Sequence, residues 1–403
     1  MGTTLTGLEE LKPLLNTEAW KYTRLSPVLD GQWIEAESLK KEELPARSQF
    51  PAFDGDKFGE IVILNGRLIE SWSTLELEGV TLRAPQAGDM PPSTSLQDSI
   101  NASYLRDVIV IDIKAGTVFK KPLVISTFSF GGEALTTWSV AAPHVVVNVG
   151  ERAEVAIVEL TGGEGRTLST PVSTFHVAQS GRLTHARLNL SQDSAVHLAS
   201  TRISCARSAF CETFQFSLSG RLTRENLHIT LNEPGAEATL DGLYLVDGKR
   251  HVDHATAVEH LAPHTTSSQL YKGVLNDEAR AVFNGRVHIH RPAQQSNAAQ
   301  LNNTLILSKR AEIDTKPELE IDADDVKASH GATIGQIDPD HVFYLRARAI
   351  PEAQAIQMLA TGFAQDIAFR IKNEFIRSVC ERAVARAIAR TGLAQAAASK
   401  ALT

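Results

Sequence analysis

Short runs of alternating and β-branched residues recur between about Val108 and Leu345, and glycine, asparagine or aspartate breaks each run after a few positions. Such runs predict β-strands, and helical periodicity is nearly absent from this part of the chain. Several runs begin with a similar turn residue: "GERAEVAIV", "GRLTHARLNL", "GRLTRENLHI", "GAEATLDGL", "NDEARAVFNG" and "KRAEIDTKPELEI". One strand–turn unit cannot bury its apolar face alone, whereas stacked units share one core. The sequence therefore predicts a mainly β fold with a right-handed parallel β-helix, and a β-sandwich remains the alternative because the units differ in length.

The region before this repeat has a different composition. "TGLEELKPLL" and "EAWKYTRL" predict short helices, and "GEIVILNGRLIE" predicts a hairpin because Asn65 and Gly66 tolerate the positive φ angles of a type I′ turn. "RAPQAGDMPPSTSLQD" is rich in Pro, Gly and Ser and predicts a loop. We divide the chain into a mixed, helical capping region over 1–100, a β-helix core over 101–348 and a helical region over 349–403.

The C-terminal region predicts a pair of amphipathic helices. Ile367, Ile371, Phe375 and Val379 follow one another at intervals of one helical turn, and Gly362 is expected to divide the segment into two helices. This apolar face has two interpretations: it covers the end of the solenoid, or it binds a partner.

Composition and charge exclude several classes of function. The chain has 403 residues and a formal net charge of -7, and it contains no long basic block, so we do not expect it to bind nucleic acid. Three cysteines without a CxxC pair are typical of a reducing compartment. With neither a secretory leader pattern nor an apolar run long enough to span a bilayer, the expected location is the cytoplasm, away from membranes.

The histidines do not predict a metal site. In "HVDHATAVEHLAPH", alternation along a strand places His254 and His260 on one face but roughly 20 Å apart, too far to share an ion. Polar ladders on a sheet surface are the favoured interpretation. His288 and His290 share a face two residues apart, but no third ligand is near them in the sequence.

The acidic run "ELEIDADD" could supply paired carboxylates such as Glu318, Glu320 and Asp322 for cleavage of polysaccharides. Alternation favours a solvated strand face instead, because the carboxylates lie opposite Leu319 and Ile321. The sequence also lacks a phosphate-binding loop and a GxSxG elbow. We therefore expect no enzyme activity from this chain and keep a polysaccharide-active β-helix enzyme as the alternative.

The stretch from about His251 to Ile367 resembles the SufB/SufD family of iron–sulfur cluster assembly proteins. The resemblance is carried by "DVKASHGATIG", "FYLRARAI" and "MLATGFAQDI", and "EAWKYTRLSP" is similar to the N-terminal region of the SufD branch. "SHGAT" and the shorter chain are closer to that branch than to SufB, which has glutamate where Gly331 stands here. The resemblance implies a parallel β-helix between helical ends and a non-enzymatic subunit that joins SufB and the ABC ATPase SufC.

The resemblance also implies where the partners and the metal would bind. The C-terminal helices would dock on SufC, which gives a binding role to Gly362, Phe363, Ile367, Ile371 and Phe375. SufB would pair edge to edge with the β-helix, and the isolated chain could form a homodimer through the same edge. His330 would lie near that junction and help a SufB cysteine to hold iron or a nascent cluster transiently, with no cofactor bound tightly by this chain alone. Many SufD sequences have cysteine where this chain has Ala328.

Overall fold

The computed structural model describes residues 17–25, 32–37, 44, 46–90, 93–131 and 137–390. The strands are β1 (Gln32–Glu35), β2 (Gly59–Leu64), β3 (Arg67–Leu68), β4 (Val80–Arg83), β5 (Val108–Ile113), β6 (Leu123–Phe130), β7 (Thr137–Ala141), β8 (His144–Val149), β9 (Glu154–Glu164), β10 (Thr167–Ser169), β11 (Val172–Val177), β12 (Arg182–Asn189), β13 (Val196–Cys205), β14 (Phe210–Ser217), β15 (Leu222–Leu231), β16 (Glu237–Val246), β17 (His251–His260), β18 (Thr266–Leu275), β19 (Arg280–Ile289), β20 (Ser296–Ile306), β21 (Glu312–Ile321) and β22 (Val326–Gly335). The α-helices are α1 (Leu96–Tyr104), α2 (Pro339–Arg346), α3 (Glu352–Phe369) and α4 (Glu374–Arg390), and short 3₁₀ turns cover Glu18–Trp20, Arg47–Gln49 and Glu70–Trp72.

The strands form a two-sided solenoid. They belong to a first sheet, whose main path runs β21-β19-β17-β15-β13-β11-β8-β5-β4, and a second sheet ordered β22-β20-β18-β16-β14-β12-β9-β6-β2-β3, and from β11 to β22 successive strands alternate between the two sheets. Neighbours are parallel except for β2 with β3 and β4 with β5. Leu222 pairs with His251 and Ser296 with Val326, so one turn of the solenoid, called a rung below, takes about 30 residues. The prediction of a parallel β-helix is confirmed.

Apolar side chains fill the space between the two sheets. Phe175, Tyr244, Tyr271 and Phe283 are fully buried there. Two glycines make room for the tyrosines: Gly242 pairs with Tyr271, and Gly273 pairs with Tyr244. A Cβ on Gly242 would lie 2.2 Å from the Tyr271 ring, and one on Gly273 would lie 2.0 Å from the Tyr244 ring.

Each sheet also has a covered outer face. On the second sheet, side chains of β16 such as Leu243 and Leu245 pack against Ile367 and other residues of α3 and α4, and against Ile371 in the break between these helices. The segment from α3 to α4 is called the helical cover. An ion pair between Arg370 Nε and Asp241 Oδ2, 2.6 Å apart, fastens this cover. On the first sheet, a cluster centred on Trp20, Trp33, Trp138, Ile100 and Leu198 includes residues from the N-terminal region and α1.

The hairpin prediction is confirmed, since β2 and β3 are antiparallel and Asn65 and Gly66 have φ angles of 50° and 79°. The prediction for "EAWKYTRL" is wrong in extent, because only the 3₁₀ turn Glu18–Trp20 forms there. The prediction for "TGLEELKPLL" lies outside the described residues.

Two further boundaries differ from the predictions. Helix α1 begins inside the predicted loop, because Ser95 and Asp98 form a reciprocal capping box. Gly362 does not divide the C-terminal segment: α3 continues through it, and the break falls at residues 370–373, where the Asn373 side chain accepts a hydrogen bond from the Ile376 amide. A single exposed glycine weakens a helix without ending it.

Candidate functional site

The solenoid ends in two strands that each have a single neighbour. β21 pairs only with β19 and β22 only with β20, and no other described strand lies along their outer edges. We call these two outer edges the open end. Apolar side chains are accessible there: Ile321 is 43% exposed and Ile334 is 53% exposed. Unpaired backbone groups beside exposed apolar side chains are a template for the addition of another strand.

His330 lies on the last strand, β22. It pairs in register with Gln300, which pairs in turn with Gln269 on the next strand of the second sheet. Both glutamines are buried, and Gln300 Nε2 donates a hydrogen bond of 2.7 Å to Gln269 Oε1. His330 itself is exposed because no further described rung covers it. The imidazole is therefore accessible at the open end, next to a buried column of amides.

No thiolate from this chain is available beside His330. Ala328, on the same side of β22, is partly buried against the interior core. The three cysteines, Cys205, Cys211 and Cys380, are free and buried elsewhere. Burial raises the pKa of the Cys380 thiol well above its ordinary value.

The apolar face of the helical cover that was predicted from sequence periodicity is mostly buried. Ile367 and Ile371 are fully buried against the second sheet, so neither is available to a partner in this conformation. Phe363 and Phe375 are half-buried, and Lys272 lies 4.4 Å from the centre of the Phe363 ring. Periodicity locates the apolar face but does not say what covers it. Among the predicted docking residues, Gly362 is the exposed one, and it lies between the exposed side chains of Met358 and Phe369.

The histidines of "HVDHATAVEHLAPH" alternate as predicted, but His254 and His260 lie inside the solenoid and not on its surface. His260 has hydrogen bonds of 2.8 Å to both Thr265 and Ser267, and the His254 ring lies between the rings of Tyr244 and Tyr271. Burial lowers the pKa of both histidines to about 4, so they are neutral at physiological pH. Their role is to fill the interior.

No third ligand is near His288 and His290 in the sequence, but the fold brings one close to them. Glu259 stands on β17, in register with His288 on β19. Its Oε2 lies 3.2 Å from His288 Nδ1 and 2.7 Å from His290 Nε2. The ligand atoms of these three residues lie within 4.8 Å of one another, which is compatible with a shared ion. The third member was missed because it comes from the preceding rung and is distant in sequence.

The acidic run faces outward as predicted, and Leu319 and Ala323 pack inward. Each candidate carboxylate contacts a basic side chain. Glu318 lies 2.9 Å from Lys316, Glu320 lies 3.1 Å from Arg286, and Asp322 lies 3.0 Å from His288. This arrangement leaves no pair of carboxylates poised around a substrate bond and does not favour glycoside cleavage.

Sequence reasoning also missed a buried charged network. Arg187 on β12 is fully buried in the solenoid; its Nε is 2.9 Å from Glu159 Oε2 and its guanidinium 3.3 Å from Glu225 Oε2. His185 and His197 add contacts of 2.9 and 3.1 Å to the two glutamates. Burial alone would raise the pKa of both carboxyls, but Arg187 and the histidines outweigh it and hold these pKa values below the usual range. An alternating strand such as "RLTHARLN" shows that its faces differ but not which face is inside.

Comparison with known proteins shows which family the chain belongs to. The family model described as "SUF system FeS cluster assembly, SufBD core domain" matches residues 131–363. The chain belongs to the SufB/SufD family. The iron-sulfur cluster assembly protein SufD of Escherichia coli is 30% identical over 377 residues, which cover 91% of this chain and 86% of that protein. The SufBD family protein slr0076 of Synechocystis is 31% identical over 308 residues, covering 74% of this chain and 67% of that protein.

Protein ABCI7 of Arabidopsis thaliana, described as chloroplastic, is 32% identical over 285 residues, 69% of this chain and 60% of that protein. The resemblance seen in the sequence is thus confirmed: this chain is a SufD-like member of the SufB/SufD family with a role in SUF iron–sulfur cluster assembly. None of the described helices is long and apolar enough to cross a membrane.

Proposed function

We propose that the chain is a non-enzymatic subunit of a SUF assembly complex, which pairs with a SufB-like subunit at the open end and binds a SufC-like ABC ATPase through the helical cover. The open end carries the proposal: within the described part of the chain, two strand edges have no neighbouring strand, and they lie beside exposed Ile321 and Ile334. A partner strand would satisfy the backbone groups and cover these side chains. In the isolated chain, a second copy would pair at the same edge and give a homodimer.

The ATPase would bind the outward face of the helical cover. Met358 and Phe369 are 47% and 58% exposed, and Gly362 lies between them on α3. Phe363 and Phe375 would contribute their accessible parts, whereas Ile367 and Ile371 would transmit the contact to the second sheet beneath. ATP would be hydrolysed by the partner.

Iron or the nascent cluster would be held transiently where the two β-helices meet. His330 offers an accessible imidazole, a ligand suited to iron. Because the three cysteines are buried and Ala328 replaces a thiol, the thiolate ligands would come from the SufB-like subunit.

Pairing is tested by co-purification with the SufB-like partner. We expect Ile321→Lys with Ile334→Lys to abolish the complex, because two charges would be buried at the junction. Val118→Lys is the matched control, since Val118 is 61% exposed but belongs to an early rung. A complex that survives the double change would refute pairing at the open end.

Docking is tested in the same way with the SufC-like ATPase. We expect Met358→Glu with Phe369→Glu to abolish binding, while Val118→Glu leaves it unchanged. Deletion of the helices is a poorer experiment, because it would uncover the apolar face formed by Leu243 and Leu245. Normal ATPase binding by the double variant would refute this docking surface.

The role of His330 is tested by anaerobic cluster reconstitution on the complete complex. We expect His330→Ala to lower the iron–sulfur content while size exclusion still detects an intact complex. His176→Ala is the control, because His176 is an exposed histidine on β11, several rungs from the open end. Equal cluster content in the two variants would show that His330 is structural.

A further inference from the structure

We propose that Glu259, His288 and His290 form a binding site for a divalent first-row transition metal ion on the outer face of the first sheet. The three side chains come from two neighbouring rungs: Glu259 is on β17, and His288 and His290 lie at and just beyond the end of β19. This site is separate from His330, which lies on the second sheet in the last rung.

The three ligand atoms lie close together. Glu259 Oε2 lies 3.2 Å from His288 Nδ1 and 2.7 Å from His290 Nε2, and all three atoms are within 4.8 Å of one another. Ligands that bind one ion at about 2.1 Å are themselves roughly 3 Å apart, so little movement is needed to admit the ion. The two imidazole rings already lie side by side, with centres 3.7 Å apart.

The surrounding residues orient the ligands. His288 Nε2 is 3.0 Å from Asp322 Oδ2, so in the tautomer that donates from Nε2 the other nitrogen, Nδ1, is free to bind a metal. A histidine that donates to a carboxylate while binding a metal is a recurrent arrangement. Arg286 donates a hydrogen bond to Oε1 of Glu259 and leaves Oε2 facing the histidines.

Charge and access also suit a cation. Glu320 Oε1 lies 3.8 Å from His288 Nε2, so three carboxylates and one guanidinium surround the two imidazoles. The Glu259 and His288 side chains are each 12% exposed, whereas His290 is 31% exposed and opens the site to solvent. Three protein ligands leave coordination positions for water or for exchange of the ion.

The donor set selects the class of metal. Two imidazoles with one carboxylate suit Fe(II), Co(II) or Zn(II), whereas Mg²⁺ and Ca²⁺ prefer oxygen ligands alone. Fe(II) is the ion that the proposed function would bring to this protein, and that choice alone rests on the proposed function. The site itself rests on the geometry of the three residues.

The test is an anaerobic titration of the full chain with Co(II), followed by visible absorption, and then with Fe(II) in competition. We expect one equivalent of Co(II) to bind with ligand-field bands, and an excess of Fe(II) to displace it, because Fe(II) binds sites of this kind more weakly than Co(II). His288→Ala with His290→Ala should weaken binding by more than about 100-fold, and Asp322→Asn by about 10-fold. His176→Ala, with an exposed histidine on another rung, should bind like wild type.

Glu259→Gln keeps the size of the side chain and is the second variant if the double variant fails to fold. Its affinity should fall by at least about 10-fold while the unfolding midpoint stays near that of wild type. Wild-type protein without stoichiometric Co(II) binding would overturn the site, and so would loss of the bands in His330→Ala but not in the double variant. Because the isolated chain is titrated, failure to bind SufB- or SufC-like partners would leave this result unaffected.

Discussion

Arg187 allows the sharpest test of how the interior is held together. It is fully buried between Glu159 and Glu225, and the structure gives it no route to solvent. Replacement by leucine keeps much of the packing volume but leaves two buried carboxylates without their shared cation. Breaking a buried ion pair in this way costs roughly 3–5 kcal/mol in the free energy of unfolding. We expect Arg187→Leu to lose about that amount at pH 7.5.

The loss should depend on pH in a definite direction. In the wild type, the pKa values of Glu159 and Glu225 lie below those of the unfolded chain, so their contribution to stability is complete above about pH 4.3 and is lost only at lower pH. Without Arg187, the pKa of Glu159 should rise most, because burial raises it and Arg187 is the main charge that opposes burial there, whereas Glu225 keeps its contact with His197. The folded variant then takes up protons as the pH falls, and the difference in stability from wild type should be smaller at pH 5 than at pH 7.5.

Urea unfolding followed by far-UV circular dichroism at these two pH values measures the effect. Arg207→Leu is the matched control, because Arg207 and Glu233 form an exposed ion pair, with 53% and 48% of their side chains accessible and 3.7 Å between the charged atoms. Exposed pairs contribute about 0–1 kcal/mol. A loss below about 1 kcal/mol for Arg187→Leu, or one that is equal at both pH values, would refute the reasoning.

Three further predictions concern other parts of the fold. Gly242→Ala should destabilise the protein by about 1–3 kcal/mol because the new Cβ would strike Tyr271. Gly362→Ala should stabilise α3 by about 0.5–1 kcal/mol, because a Cβ there meets no described atom within 4 Å. Urea midpoints equal to that of wild type would contradict both predictions. Burial raises the pKa of Asp241 to about 6 despite the opposing Arg370, so the folded protein binds this proton more tightly than the unfolded chain does. The contribution of Asp241 to the free energy of unfolding should therefore rise as the pH falls from 7 towards 4. Asp241→Asn should remove this pH dependence in unfolding experiments, and an unchanged pH dependence would show that another group causes it. Cys205, Cys211 and Cys380 should react with Ellman's reagent only after unfolding, and rapid reaction of the native protein would show that a buried thiol opens locally.

The repeat and the turns were predictable from the sequence because their signals are local. Alternating runs bounded by turn residues gave the strands, and the Asn65-Gly66 pair gave the hairpin. The pairing between rungs was not predictable in the same way. Which residue of β17 lies beside His288 depends on the lengths of all the loops in between, so Glu259 could not be recognised as its neighbour.

The orientation of a face was the second limit. In β12 the alternation is clear, but Arg187 and His185 face inward because the Glu159 carboxylate and the Thr213 hydroxyl meet them there. In the C-terminal region, periodicity marked Ile367 in α3 and Ile371 in the break before α4 as one apolar face, but only the structure identifies the second sheet as what they cover. The residue pattern of one helix or strand shows that its two faces differ in polarity. What each face packs against comes from a distant part of the chain, so that pattern cannot identify it.

The open end also affects where local unfolding of the solenoid begins. Each inner rung is stacked on two neighbours, whereas β21 and β22 rest on one, and in a solenoid most of the stability comes from such nearest-neighbour contacts. The last rung is therefore held less firmly than the inner rungs, and its amide protons should exchange with solvent before those of β13 to β18. A strand bound there would supply the missing neighbour. Binding of a partner would therefore also raise the local stability of the final rung, so the two free energies are coupled.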